Sequence, residues 1–266
     1  MKSIPEFWKP PTSVVFTSNS DNISLYGNGV FTTSSFYDSE LFLWEKHWKR
    51  LTANAAQLGI DISAYAERNV KDTVSKAIEE NRSANGRVRM TFLDESCPEL
   101  WGGDGEKKTV LSIVIGDRRR VPNEFRLAIL PHRVNTTSPL AGIKSCNYLE
   151  PLMVFDEAKN RGFDEAIRLN ERGDVASACM ANVFWSNGGK LYTPSLKTGC
   201  LAGTTREFIL ENLECEEVEA GEEAIREADE IFLTSAGIGV VQVAEFDGRA
   251  MNRDRHKILS LLPKPL

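Results

Sequence analysis

"GDVASACMANVFWSNGGKLYTP", residues 173–194, is the stretch on which the reading of this chain turns. Small residues crowd its middle, from Ala176 to Ala181 with only Met180 larger, and an apolar run follows, Asn182 to Ser186. Apolar residues in unbroken succession suit a strand covered on both faces. "SNGG" at 186–189 is a tight-hairpin signal, and "KLYT" returns as the partner strand. Small side chains let such a strand lie close against a flat partner. One position in it, Ser177, becomes important below.

Outward from there the chain is mixed. "RVRMTFLD", "TVLSIVIGD", "FRLAILPH", "DEAIRLN", "EIFLTS" and "VVQVAEF" read as strands, the last closed by "DG". Helical patterns are predicted over 39–58, 62–81 and 148–159, the last stopping near Gly162, and in "GTTREFILENL" and "EEAIREA". "ESCPELWGGDGEKK" reads as a loop rich in Gly and charge. The regular strand–helix alternation of a doubly wound sheet is absent, so the class is α/β of the α+β type with antiparallel hairpins. A change of composition over 120–135 divides it into a small N-terminal α/β domain, 1–122, and a larger C-terminal domain, 123–266.

With 266 residues, 41% hydrophobic and 26% charged, the chain can bury a substantial core. A net charge of −6 argues against a nucleic-acid partner. No window is long and apolar enough to span a membrane, and "MKSIPEFWKPPTS" carries no apolar segment of the signal-peptide kind. Five cysteines without a CxxC pair suggest reduced thiols in a cytoplasm. His47, His132 and His256 fall in no metal motif, so no metal is expected. The acidic run "ENLECEEVEAGEEAIREADE" reads as a solvated helical face, and Trp44, Trp48 and Trp185 as core or interface aromatics.

Three features carry chemistry. Lys144, in "LAGIKSCN", is either a lysine snorkelling to solvent or a desolvated, nucleophilic amine. Thr204 and Thr205 after Gly203 are either an ordinary helix cap or a phosphate cradle at a helix N-terminus. Arg50, in "HWKRL", belongs to a solvated basic face or pairs bidentately with an anion. Lysine, cradle and arginine together point to a phosphate-bearing carbonyl cofactor, and pyridoxal phosphate (PLP) fits that description.

In its ordered motifs the chain resembles the fold-type IV PLP enzymes, the class of branched-chain and D-amino-acid aminotransferases and aminodeoxychorismate lyase. "GNGVF" (27–31) matches the early "GDGxF", with Asn28 for Asp; "HWKRL" matches "HxxRL"; Lys144 and Asn147 match "K-x-x-N". Asn182, Val183, Phe184, Thr193, Pro194, Gly203 and Arg206 keep the spacing of the signature that follows. The resemblance implies a pseudo-barrel C-terminal domain, a Schiff base on Lys144 and a phosphate contact from Arg50. It implies further cofactor contacts from Ser177, Asn182, Gly203, Thr204, Thr205, Ala236 and Gly237, and a place near the substrate for Phe31, Thr32 and Arg133. Lys144, with Thr32, would be catalytic. A homodimer in the cytoplasm acting on a small amino substrate goes with it.

"GNGVFTT", with Thr32 where aminotransferases usually carry Glu, and the wording of "LAGIKSCNYLE" and "ACMANVFW" lean toward the lyase, which splits 4-amino-4-deoxychorismate into 4-aminobenzoate and pyruvate for folate synthesis. The alternatives are a branched-chain or D-amino-acid aminotransferase, or a degenerate PLP-binding member. The chief departure is Ser177. The family's residue there is a glutamate that meets the pyridine nitrogen and favours its protonated form. A hydroxyl carries no charge, which disfavours transamination and is compatible with elimination. Thr204, where the family usually has an aliphatic residue, is a second departure.

Overall fold

The computed structural model describes residues 26–95 and 108–263, together with the backbone of 13–16. The chain divides into two compact units, Met1–Arg118 and Arg119–Leu266.

In the first unit the strands are β1 (Ser13–Phe16), β2 (Gly29–Tyr37), β3 (Glu40–Leu41), β4 (Gly86–Asp94) and β5 (Thr109–Gly116). They form one sheet in the order β1-β5-β4-β2-β3, antiparallel at every pairing. Helices α1 (Trp44–Gln57) and α2 (Glu67–Asn81) turn Trp44, Leu51, Ala55, Val70, Val74 and Ile78 inward. Trp44 stacks on Trp48 with centroids 5.9 Å apart.

Both helices start later than their periodicity suggests. Asp38 and Ser39 both take positive φ and turn β2 tightly into β3, so the segment from 39 to 43 is hairpin and bend before it is helix. The loop "ESCPELWGGDGEKK" begins with Glu95 and ends with Lys108, and its interior, 96–107, lies outside the described residues.

In the second unit come β6 (Arg126–Ile129), α3 (Leu149–Asn160), β7 (Glu165–Leu169), β8 (Val175–Ala178), β9 (Asn182–Asn187), β10 (Lys190–Pro194), α4 (Thr204–Asn212) and β11 (Glu216–Val218). They are followed by α5 (Glu222–Arg226), β12 (Glu230–Ser235), β13 (Gly239–Gln242), β14 (Glu245–Phe246) and β15 (Arg249–Ala250). Two sheets result, β11-β10-β9-β12-β13 and β15-β14-β6-β7-β8. Leu127, Ile167, Val175, Val183, Trp185, Ile231, Leu233 and Phe246 bring both into one core.

The apolar run of β9 is buried on both faces. Val183 and Trp185 enter that shared core, while Phe184 packs with Phe232 and Ile209 of α4 on the other side. The "SNGG" hairpin forms with Gly188 and Gly189 at φ 56° and 80°, a conformation glycine adopts without a Cβ penalty. The acidic run is not one helical face. β11 and α5 divide it, and Glu230 at its end is buried, bonded to Ser186 and Gln242. No helix among the described residues is long and apolar enough to cross a membrane.

Candidate active site

In the first unit the candidate residues form a buried chain of hydrogen bonds. Thr32 on β2 is fully buried, as is His47 on α1. Arg50 Nη2 donates to Thr32 Oγ1 at 2.8 Å, and the same hydroxyl lies 2.7 Å from His47 Nδ1. One hydroxyl that accepts from a guanidinium still has a proton for the ring nitrogen. Arg50 is therefore oriented from beneath, one helical turn from His47, and is not a member of a free basic face. The Thr32 oxygen is engaged on both sides, by Arg50 and by His47, so it holds these two side chains in place. Phe31 is likewise packed: it is 4% exposed, with the Arg89 guanidinium 3.6 Å from its ring centroid. Thr32→Val removes a buried partner from both Arg50 and His47 and is expected to destabilise the protein by about 1–3 kcal/mol, whereas Thr32→Ser loses under half of that. Urea unfolding of the two variants checks this.

In the second unit Lys144 precedes α3. It is half-buried, with Nζ 3.2 Å from the Tyr148 hydroxyl and 4.7 Å from the centre of that ring. Its amine meets the Tyr148 hydroxyl and the face of that ring.

The cradle lies where α4 packs against β12. Gly203 is the N-cap of α4 and caps it with no side-chain bond, while Thr204 and Thr205 behind it are buried. A helix N-terminus presents N–H groups that suit an anion. Asn182 donates from Nδ2 to the Leu201 carbonyl at 2.8 Å, which fixes the loop leading to Gly203. A Cβ at Gly203 would sit 1.9 Å from Asn182 Oδ1, so this approach requires glycine. Across the ladder from Asn182 is Thr234, whose hydroxyl is buried without a hydrogen-bond partner. Ala236 and Gly237 lie in the turn from β12 to β13, closed by Ile238 N–H to the Ser235 carbonyl at 3.3 Å. The Arg206 guanidinium bonds the Pro194 carbonyl and pairs with the Glu217 carboxylate, tying α4 to β10 and β11.

Ser177 is the one residue of β8 that is not buried. The residue opposite it on β7 is Arg168, which sequence reasoning passed over. Its signal was a charged residue inside the apolar run "DEAIRLN". Arg133 is exposed, and its side chain makes no hydrogen bond or ion pair among the described residues; its carbonyl accepts from Arg168. Glu165, also on β7, is 1% exposed. Burial pushes its carboxyl up to about 7, against the opposing charge of Arg119.

A family model described as amino-transferase class IV matches residues 29–246. The chain is 31% identical over 236 residues to an aminodeoxychorismate lyase of Bacillus subtilis, covering 85% of this chain and 80% of that protein. It is 26% identical over 234 residues to a D-alanine aminotransferase of Bacillus licheniformis, covering 85% and 81%. Among solved structures, a branched-chain aminotransferase from Thermoproteus uzoniensis superposes with a TM-score of 0.83 at 24% identity, covering 93% of this chain and 91% of that one. Lyase and aminotransferase relatives thus stand about equally near.

Enzymes of this family use PLP, and the second unit fits that group. It offers a placed lysine amine, a helix N-terminus free of side-chain capping, and an orphaned buried hydroxyl at Thr234 beside it. With a family match over most of its length and a fold to agree, the chain belongs to the class IV aminotransferase family, as a PLP-dependent enzyme.

Proposed function

We propose that this enzyme is a lyase that converts 4-amino-4-deoxychorismate into 4-aminobenzoate and pyruvate. The observation that carries the reading is Ser177. The accessible residue of β8 offers a hydroxyl and no charge where a carboxylate would favour amino transfer.

PLP supplies an aldehyde that captures the substrate amine and a ring that withdraws electrons from the amine-bearing carbon. The Lys144 amine, placed against Tyr148, takes the proton from that carbon. The bond from the ring to the enolpyruvyl oxygen breaks, and a proton returned to the enolpyruvyl methylene gives pyruvate, leaving 4-aminobenzoate aromatic. Asn182, Gly203, Thr204 and Thr205, with the turn at Ala236 and Gly237, hold the phosphate in this reading. Arg50, the phosphate arginine of the family that the chain resembles, is oriented within the first unit by Thr32. Arg133, exposed and unengaged, is the proposed substrate-carboxylate contact.

The setting we infer is a cytoplasmic homodimer. Leu149, Leu152 and Met153 stand exposed at positions i, i+3 and i+4 of α3, an apolar face suited to a second copy.

The test is pyruvate release from 4-amino-4-deoxychorismate without added keto acid. Strict dependence on a keto acid, with no elimination product, overturns the lyase reading in favour of the aminotransferase that the D-alanine aminotransferase relative supports. A protein that neither turns over nor retains cofactor on Lys144 after borohydride reduction is the degenerate case.

A further inference from the structure

Arg168 is unusual for its surroundings. The face of β7 and β8 that it shares packs Ala166 and Cys179 against Leu130, Val154 and Ala158 of the α3 layer. A guanidinium among such neighbours is costly unless it is fully bonded or used. Arg168 is 6% exposed and is not fully bonded: Nη2 donates to the Arg133 carbonyl and to Glu150, while Nε is buried with no partner.

Its charge is also incompletely cancelled. The Glu150 side chain is 67% exposed against 8% for Arg168, so water screens the acid far more than the base. Burial raises the thiol of Cys179, next but one to Ser177, and the Arg168 charge opposes that rise. Directly paired residues of an antiparallel ladder point to one face with Cβ atoms about 5 Å apart. Arg168 and Ser177 are such a pair. Through Glu150, in the first turn of α3, Arg168 is also fixed to the helix that follows Lys144 and Tyr148.

We propose that Arg168 sets the charge behind Ser177, so that the cofactor's ring nitrogen is kept unprotonated in this enzyme. This rests on the reading that Ser177 is the residue facing that nitrogen. Position 177 then offers no carboxylate, and a buried cation stands across the ladder from it. A positive neighbour disfavours a protonated, cationic ring, which weakens the electron withdrawal that amino transfer needs. Glu150 is the counter-charge from α3, the Cys179 thiol follows β8, and Glu165 at the start of β7, which bonds the Cys179 N–H, has the Arg119 charge acting on it.

The experiment is nitrogen-15 NMR on holoenzyme loaded with PLP labelled at the ring nitrogen, recorded at pH 7. The wild type is expected to give the unprotonated signal. Ser177→Glu alone is expected to stay mainly unprotonated, because the new carboxylate is drawn into an ion pair with Arg168. Ser177→Glu combined with Arg168→Leu is expected to move the signal by the full protonated–unprotonated difference, and Arg168→Lys in place of Arg168→Leu is expected to restore single-variant behaviour.

Arg168→Gln, close in shape and uncharged, gives the same comparison if the leucine variant folds poorly. A protonated nitrogen in the wild type, or identical signals from the single and double variants, overturns the proposal and leaves the cofactor reading standing. Failure of borohydride to fix labelled PLP on Lys144 overturns both.

Discussion

Lys144→Ala is expected to lose turnover by about 10⁴-fold or more and to retain no cofactor after borohydride reduction. Two functions vanish together. The proposed mechanism loses both the amine that anchors the cofactor and the base that moves the proton at the amine-bearing carbon. Tyr148 cannot replace it, since its hydroxyl is the partner that holds the amine at 3.2 Å, not a second amine. Added methylamine is expected to recover part of the proton transfer without recovering the covalent anchor. Steady-state assay with mass spectrometry of the reduced protein separates the two losses. Retention of the reduced adduct in Lys144→Ala would move the anchor to another lysine.

Glu165 is expected to impose a pH dependence on stability that Glu165→Gln abolishes. Its Oε1 accepts from the Cys179 and Ala166 backbone N–H groups, whereas Oε2 is buried with no partner. Burial, the largest cause, lifts the carboxyl from 4.5 to about 7. Below pH 4.5 the group is protonated in both folded and unfolded chains and costs nothing. As pH rises, the unfolded chain gives up the proton first, so it binds fewer protons than the folded chain and stability falls. The loss continues until the folded group ionises near pH 7 and then levels off. It amounts to about 3 kcal/mol in all, at about 1.4 kcal/mol per pH unit. Glutamine preserves the two accepted bonds and cannot ionise. Urea unfolding at pH 4.5, 6 and 8 should show the variant gaining on the wild type by about that amount at the highest pH. A constant difference across the series would place the carboxyl's titration outside this window.

Much of the fold was legible in residues. The hairpin glycines 188 and 189, the doubly covered strand 182–187 and the break after α3 at Gly162 follow from local chemistry: φ, periodicity and burial act within a few residues. The misread segments have two causes, one local and one tertiary. Residues 39–43 carry a helix-like pattern, yet two left-handed residues commit them to a hairpin. The acidic run looked helical until β11 was claimed by its parallel partner β10, a pairing across distant sequence.

The same division holds for the site. The order of types along the chain determined the family and the glycine before α4, because each is a local requirement of backbone or chemistry. Only the tertiary structure decided that Thr32 lies beneath Arg50 with His47, and that Arg168 stands across from Ser177. A buried cation acts on whatever the ladder and packing bring within a few ångströms, and charge coupling depends on that distance and on the water excluded there. Sequence separation carries neither quantity.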